Sequence, residues 1–436
     1  MKILSQCSLF DKYENKELGD LEQLKTVLDA LPDDHLIHML YEIRGKGRND
    51  WPCEAMWNSF IASFLFEHSS INSLLRELRR NSQLREICGF TPKYVRQTDG
   101  TTKIYTAPSI SSYSKFLTNL TKCQDELNHM FTYLVHFMYN NLDRFGEHLM
   151  VDGKAIQSFA TKLSESKKSG HRGEHDADHC QKTYTCSKKN GEKVTKTMKW
   201  FGFRMHLIAD ARYELPVEFR VTKASTSENK EAKEMLKTIH KEHPGYLEKC
   251  RYFMADKGYD DSKLIHLLEN INQGQDHKIK TIIDIRNCWK DGEKTHQYRN
   301  TNLVYDYKGD VWYIGEKGKM FPMIYKGFDK ESDSLRYGFK YKPGDKRIFR
   351  IKREEDRRIF TPVGRQSKKW KHLYNERSGI ERINGRIDRD YQFEKHTIRG
   401  LAKMTMFLTV TFLIYLTLAE VKVQNGERAN LCRKYA

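Results

Sequence analysis

The chain has 436 residues, too many for one ordinary core, and two or three domains are the natural division. Its 76 Lys+Arg against 58 Asp+Glu give a net charge of +18. That balance draws it to polyanions, nucleic acid first and an anionic membrane surface second, against the plainer reading of a solvated basic surface. A hydrophobic content of 38% with 23 Tyr and 22 Phe excludes a disordered chain, and nine scattered Cys fit reduced cytosolic thiols better than a disulfide framework.

The first twenty residues hold no apolar run of signal-peptide length. Residues 1–145 read as mainly helical and as a DNA-binding region. Glu54 to Arg80 has apolar residues at helical spacing, with a cap in SSINSLLREL and a basic end in RELRRNSQLR. APSISSYSKFLTNL reads as a turn and a helix. Helices joined in this way form either a helix-turn-helix reader or a plain bundle.

From residue 146 the texture changes. HLMVDGKAI is a short apolar strand ending in Asp152, and the polar stretch Thr161 to Lys193 reads as a loop. TMKWFGFRMHLIADARYELPVEFRVTKAS alternates and turns near Asp210–Tyr213, as a β-hairpin does. A helix over 230–242, a strand CRYFMAD ending in Asp256, a helix capped by Asp261 or Ser262, and a strand KTIIDIR follow. This order predicts an α/β core with a mixed sheet over 146–288. Residues 289–370 form a β-rich block with 21 Lys+Arg against 12 Asp+Glu. Residues 371–436 return to helices. The apolar run Met404 to Ala419 falls short of the ~20 residues of a usual span, and reads as a buried core helix.

Asp152 and Asp256 each follow an apolar strand, and each precedes a Gly and a Lys, in DGK and DKG. A carboxylate at a strand end faces a site rather than the core. Two such groups in a strongly basic α/β protein suit divalent metal ions and phosphodiester chemistry. Turn or helix-cap aspartates are the competing reading. Tyr374, Arg377 and Glu381 are spaced by three and four residues, so they share one helical face. Glu376 lies about 140° round from Glu381 and cannot serve the same site. Lys154, Lys257, Arg204 and His206 lie beside the strands as candidate phosphate contacts, each also readable as a plain surface residue. Trp289 and Trp312 suit base stacking or a core role. His171, His175, His179, Cys180 and Cys186 crowd one loop and suit zinc, but without a paired C-x-x-C.

Together these motifs resemble the DDE transposases of bacterial insertion sequences. VDGKAI is similar to their first aspartate motif and MADKGYDD to their second. YNERSGIERINGRI is similar to their signature helix, with Tyr374, Arg377 and Glu381 matching in type and spacing. WFGFRMHLIADARYELPVEFRVTKAS, FEKHTIRGLAKM and the run from 50 to 120 add to the likeness, which covers most of the chain.

The resemblance implies a ribonuclease-H-like fold with a β-rich insertion before the last catalytic helix. It implies two Mg²⁺ or Mn²⁺ ions held by Asp152, Asp256 and Glu381, with Tyr374 and Arg377 on DNA phosphate. It also implies double-stranded DNA partners, terminal inverted repeats and target, handled by a homodimer on paired ends in the bacterial cytoplasm, associated with the nucleoid and with no membrane. One position departs: the Lys expected seven residues after Glu381 is Asp388, leaving Arg386 or Arg389 as stand-ins. A silent DNA-binding protein derived from a transposase and a ribonuclease-H-like DNA nuclease are the rival readings.

Overall fold

The computed structural model describes residues 18–45, 51–162, 173–187, 193–272, 277–340 and 345–434. Helices come first: α1 (Asp20–Ala30), α2 (Asp34–Arg44), α3 (Cys53–Leu65), α4 (Ile71–Arg80) and α5 (Ser82–Cys88). A hairpin of β1 (Lys93–Arg96) and β2 (Thr102–Tyr105) follows, then α6 (Ile110–Thr121) and α7 (Gln124–Asn141). Short polar side chains start these helices. Ser70 and Ser73 form a reciprocal capping box on α4, and Asn81 and Ser109 cap α5 and α6. The region is therefore not purely helical, because the hairpin interrupts it.

The central sheet contains β3 (His148–Gln157), β4 (Asp178–Ser187), β5 (Lys193–Asp210), β6 (Pro216–Lys223), β7 (Tyr252–Ala255) and β8 (Lys280–Ile283). Its strand order is β4-β5-β3-β7-β8, with β6 on the other edge of β5. β3 runs antiparallel to β5 and parallel to β7, and β7 runs parallel to β8. The mixed sheet expected from the strand order is thus present. Two expectations need correction. Asp152 lies inside β3 rather than at its end. Part of the stretch read as a loop is the strand β4, because the long β5 gives it a partner from Asp178↔Gly202 to Ser187↔Lys193. At Gly202, β5 passes from β4 to β3, and a Cβ there would meet the Ile156 carbonyl at 2.1 Å. Only glycine permits that approach.

Helices α8 (Glu228–Glu242), α9 (Pro244–Glu248) and α10 (Ser262–Ile271) connect the strands. An antiparallel sheet then runs through β9 (His296–Gln297), β10 (Leu303–Tyr305), β11 (Val311–Ile314), β12 (Met320–Asp329), β13 (Ser334–Phe339) and β14 (Phe349–Lys352). This sheet has its own core, including Leu303, Leu335, Tyr337, Ile351 and Phe360. Arginines, of which Arg353 is buried, fasten it to the body around the central sheet. Arg353 and Arg357 pair with Glu269 of α10, and Arg358 lies 2.9 Å from Asp260.

The chain ends with α11 (Lys368–Glu376), α12 (Ser378–Asp390) and α13 (Leu401–Gln424). The single signature helix expected from the pattern is two helices that meet at Arg377. α13 is long and apolar enough to cross a membrane by length and composition, but 83% of its most apolar window is buried. It packs on α7 and β6, where Phe412 meets Phe219 at 4.8 Å between ring centroids. Thr409 and Thr411 lie buried in it at no polar cost, because each hydroxyl donates to a carbonyl four residues back. One hydrophobic core runs from Leu21 through the sheet to Leu431, so the N-terminal helices and the sheet share it.

Candidate active site

The sheet register sets the positions of the two aspartates. β3 and β7 pair in parallel as His148↔Tyr252, Leu149↔Phe253 and Met150↔Met254. Continuing that register two steps brings Asp152 level with Asp256, on the same face of the sheet. The ladder stops at Met254, so both carboxylates stand where the strands part.

Asp152 accepts the Gly153 amide at 2.8 Å, and Asp256 accepts the Gly258 amide at 2.7 Å. Burial pushes the Asp152 carboxyl up to about 6. The negative charges of Asp256 and Glu228 add to the rise, while the Gly153 bond and Lys182 oppose it. Asp256 also caps the short turn Lys257–Tyr259, in which Lys257 is exposed. The glycine after Asp152 lies within β3. It makes room: a Cβ at Gly153 would lie 2.6 Å from the Glu228 carboxylate.

Sequence reasoning missed Glu228. It is the first residue of α8, so the helix pattern hid it among other solvated acids. Its Oε1 lies 2.5 Å from Lys182 Nζ and 3.0 Å from Arg204 Nη1. The next residue, Asn229, donates to the Gly258 carbonyl at 2.7 Å. The start of α8 therefore touches the chain beside both aspartates. Tyr259 was missed too. It is fully buried, its hydroxyl has no hydrogen-bond partner among the described residues, and burial with the charges of Asp152, Glu228 and Asp256 raises its pKa.

Helices α11 and α12 approach from the Met150 side, where Gly379 lets α12 come close to that side chain. His148 Nδ1 lies 2.7 Å from Glu376 and ties α11 to the start of β3. Glu376 is thus engaged away from Glu381, as the helical angle required. Tyr374 stacks on Trp370 with ring centroids 4.6 Å apart, and its phenol pKa is raised by burial and by the charges of Asp284 and Asp256. Arg377 lies 2.6 Å from Glu381 and also senses Asp152. Glu381 itself is 57% exposed on its side chain. Among the described residues no three metal-ligating side chains converge. The structure therefore brings Asp152 and Asp256 together, while Arg377 holds Glu381.

The remaining sequence candidates differ in setting. Arg204 and His206 are buried, not on the surface, because β5 is covered where it carries them. Arg204 is engaged by Glu228 and donates to Cys180 at 3.1 Å. His206 bonds Thr222 at 2.9 Å, and burial with neighbouring cations pushes its pKa down to about 3. Lys154 pairs with Asp388. Arg386 pairs with Glu214 and Arg389 with Asp390, so both proposed stand-ins for the missing Lys are engaged. Trp289 stacks on His296 at 3.8 Å. In the His/Cys stretch, His171 lies outside the described residues, as does the side chain of Cys186.

Residues 144–417 match the family model described as a transposase DDE domain. No curated protein matches the chain. A cryo-EM structure of a piggyBac transposase synaptic complex with hairpin DNA is similar at 11% identity and a TM-score of 0.38, covering 95% of this chain and 78% of that one.

Proposed function

The chain belongs to the transposase DDE-domain family, and on that premise we propose that it binds the terminal inverted repeats of its element, cleaves a strand there and joins the freed end to target DNA. The observation that carries the reading is the parallel register of β3 and β7, which, continued two residues past Met150↔Met254, sets Asp152 beside Asp256. Hard oxygen donors of this kind fit Mg²⁺ or Mn²⁺, and Glu381 is the third ligand in this reading. When bound, the divalent ions supply Lewis acidity at the scissile phosphodiester.

The chain's own groups do the rest. Water attacks phosphorus, the bond to the 3′ oxygen breaks, and a 3′-OH and a 5′-phosphate result. That 3′-OH then attacks a target phosphodiester: a new 3′-O–P bond forms, the target's own P–O3′ bond breaks, and the target strand is left with a free 3′-OH. Tyr374 and Arg377 orient a phosphate beside Asp256 and Asp152. A phosphate at Arg377 competes for the guanidinium and releases Glu381. The basic insertion holds the duplex backbone, so binding weakens with salt. The protein acts as a dimer on paired ends, in the cytoplasm with the nucleoid.

A strand-transfer assay with pre-cut end duplex and plasmid target separates this function from a plain nuclease. Joined products are expected. Cut ends that never join would support the nuclease, and binding without any cleavage would support a silent DNA-binding protein.

A further inference from the structure

The hairpin between α5 and α6 is unlike the rest of the helical region. Every residue of β2 is exposed, and so is most of β1. Tyr94 is 69% exposed and Ile104 56%, and the register places them opposite each other. Arg96 lies on that same face, two residues from Tyr94. The other face carries Val95 opposite Lys103, and Lys93 opposite Tyr105. Each face thus presents an apolar or aromatic surface and a cation.

The hairpin is also rooted and stiffened. Lys93 Nζ lies 4.8 Å over the Trp51 ring, which meets Phe90 edge-on in the core. At the tip, Gly100 takes a φ of 81° and the Gln97 amide bonds the Thr101 carbonyl at 2.7 Å. Asp99, the single acid between Lys93 and Tyr105, is engaged by the Thr101 amide and hydroxyl.

The geometry points to this ribbon as a second DNA-contacting element, inserted into a groove of duplex DNA, with Arg96 and Lys103 on phosphates and Tyr94 and Ile104 against the groove. The inference rests on the DNA-acting reading above and adds a contact made by residues other than those proposed for catalysis. A lone two-stranded ribbon is marginal in water and gains nothing by exposing such side chains. Its strands carry three cations and no acid, complementary to a polyanion. Two four-residue strands span about 14 Å, and a two-stranded ribbon fits the ~12 Å major groove. Cations on edge strands also oppose pairing with a second copy of the ribbon, so DNA is the better occupant.

The test uses the full chain and a labelled random-sequence duplex, with affinity measured across a salt series. For Arg96→Ala with Lys103→Ala, the salt slope should fall by about two and the Kd should rise roughly tenfold. For Tyr94→Ser with Ile104→Ser, binding should weaken at every salt concentration with the slope unchanged. Sedimentation of the same variants tests the other occupant. A wild-type slope in the double charge variant overturns the inference while leaving the catalytic reading intact. A dimer that falls apart with duplex affinity unchanged also overturns it, by making the ribbon a contact between copies. Failure of the wild-type chain to bind duplex at all sinks both readings.

Discussion

Lys154 Nζ and Asp388 Oδ2 lie 2.5 Å apart and join the central strand to the last turn of α12. The signature implies a Lys at the position of Asp388. Here the cation sits on the strand, two residues after Asp152, and pairs with the acid that stands on the helix in place of that Lys. Its worth is measurable by a double-mutant cycle. Lys154→Ala and Asp388→Ala should couple by about 1 kcal/mol in thermal unfolding, since Lys154 is mostly shielded from water. Coupling indistinguishable from zero would show the contact to be incidental.

Glu228 balances two cations beside the aspartates. Glu228→Gln takes from the buried Arg204 and the half-buried Lys182 the carboxylate that pairs with both. Relief of repulsion with Asp152 works the other way, but the uncompensated buried cation should win. The melting temperature should fall by about 3–6 °C. An unchanged melting curve would mean that solvent screens the cluster.

The negative charges of Asp152 and Asp256 repel each other, and Lys182 offsets this only in part. In EDTA at pH 8, Asp152→Asn should melt about 1–3 °C above the wild type. Added Mg²⁺ should stabilise the wild type and leave the variant unmoved. Equal stabilisation of both proteins would mean that the ion binds elsewhere.

Glu218 on β6 makes a pH signature away from the site. Burial pushes its carboxyl up to about 7, with Glu242 adding to the rise and Arg220 opposing it. A carboxyl raised in the fold favours the folded state in acid, and that contribution is lost as pH rises through about 7. Glu218→Gln has no such loss. The melting temperature of the variant minus that of the wild type should grow between pH 6 and pH 8, and a flat difference would contradict the shift.

Much of the core was legible because strands and amphipathic helices write their period into the sequence. β7, α8, α10 and the β5–β6 hairpin all lie where the pattern put them. MADKGYDD located Asp256 to the residue, because an apolar strand stops there. Other features depend on partners far along the chain. β4 is polar throughout and becomes a strand only because β5 is long enough to pair with it. Arg204 and His206 look like surface cations until α8 supplies Glu228 and β6 supplies Thr222. The break at Arg377 leaves the periodicity intact, since Arg377 keeps helical angles. The Arg377–Glu381 contact was visible as a spacing of four, but its competition with Asp152 needed the fold.

The central claim is that Asp152 within β3 and Asp256 just past the end of β7 are the catalytic carboxylates. The direct measurement is Mg²⁺-dependent cleavage of a duplex carrying the terminal repeat, by the wild type and by Asp256→Asn, with duplex affinity measured alongside. The account predicts that the variant binds with nearly wild-type affinity and does not cut. Cleavage by Asp256→Asn at the wild-type rate would contradict it.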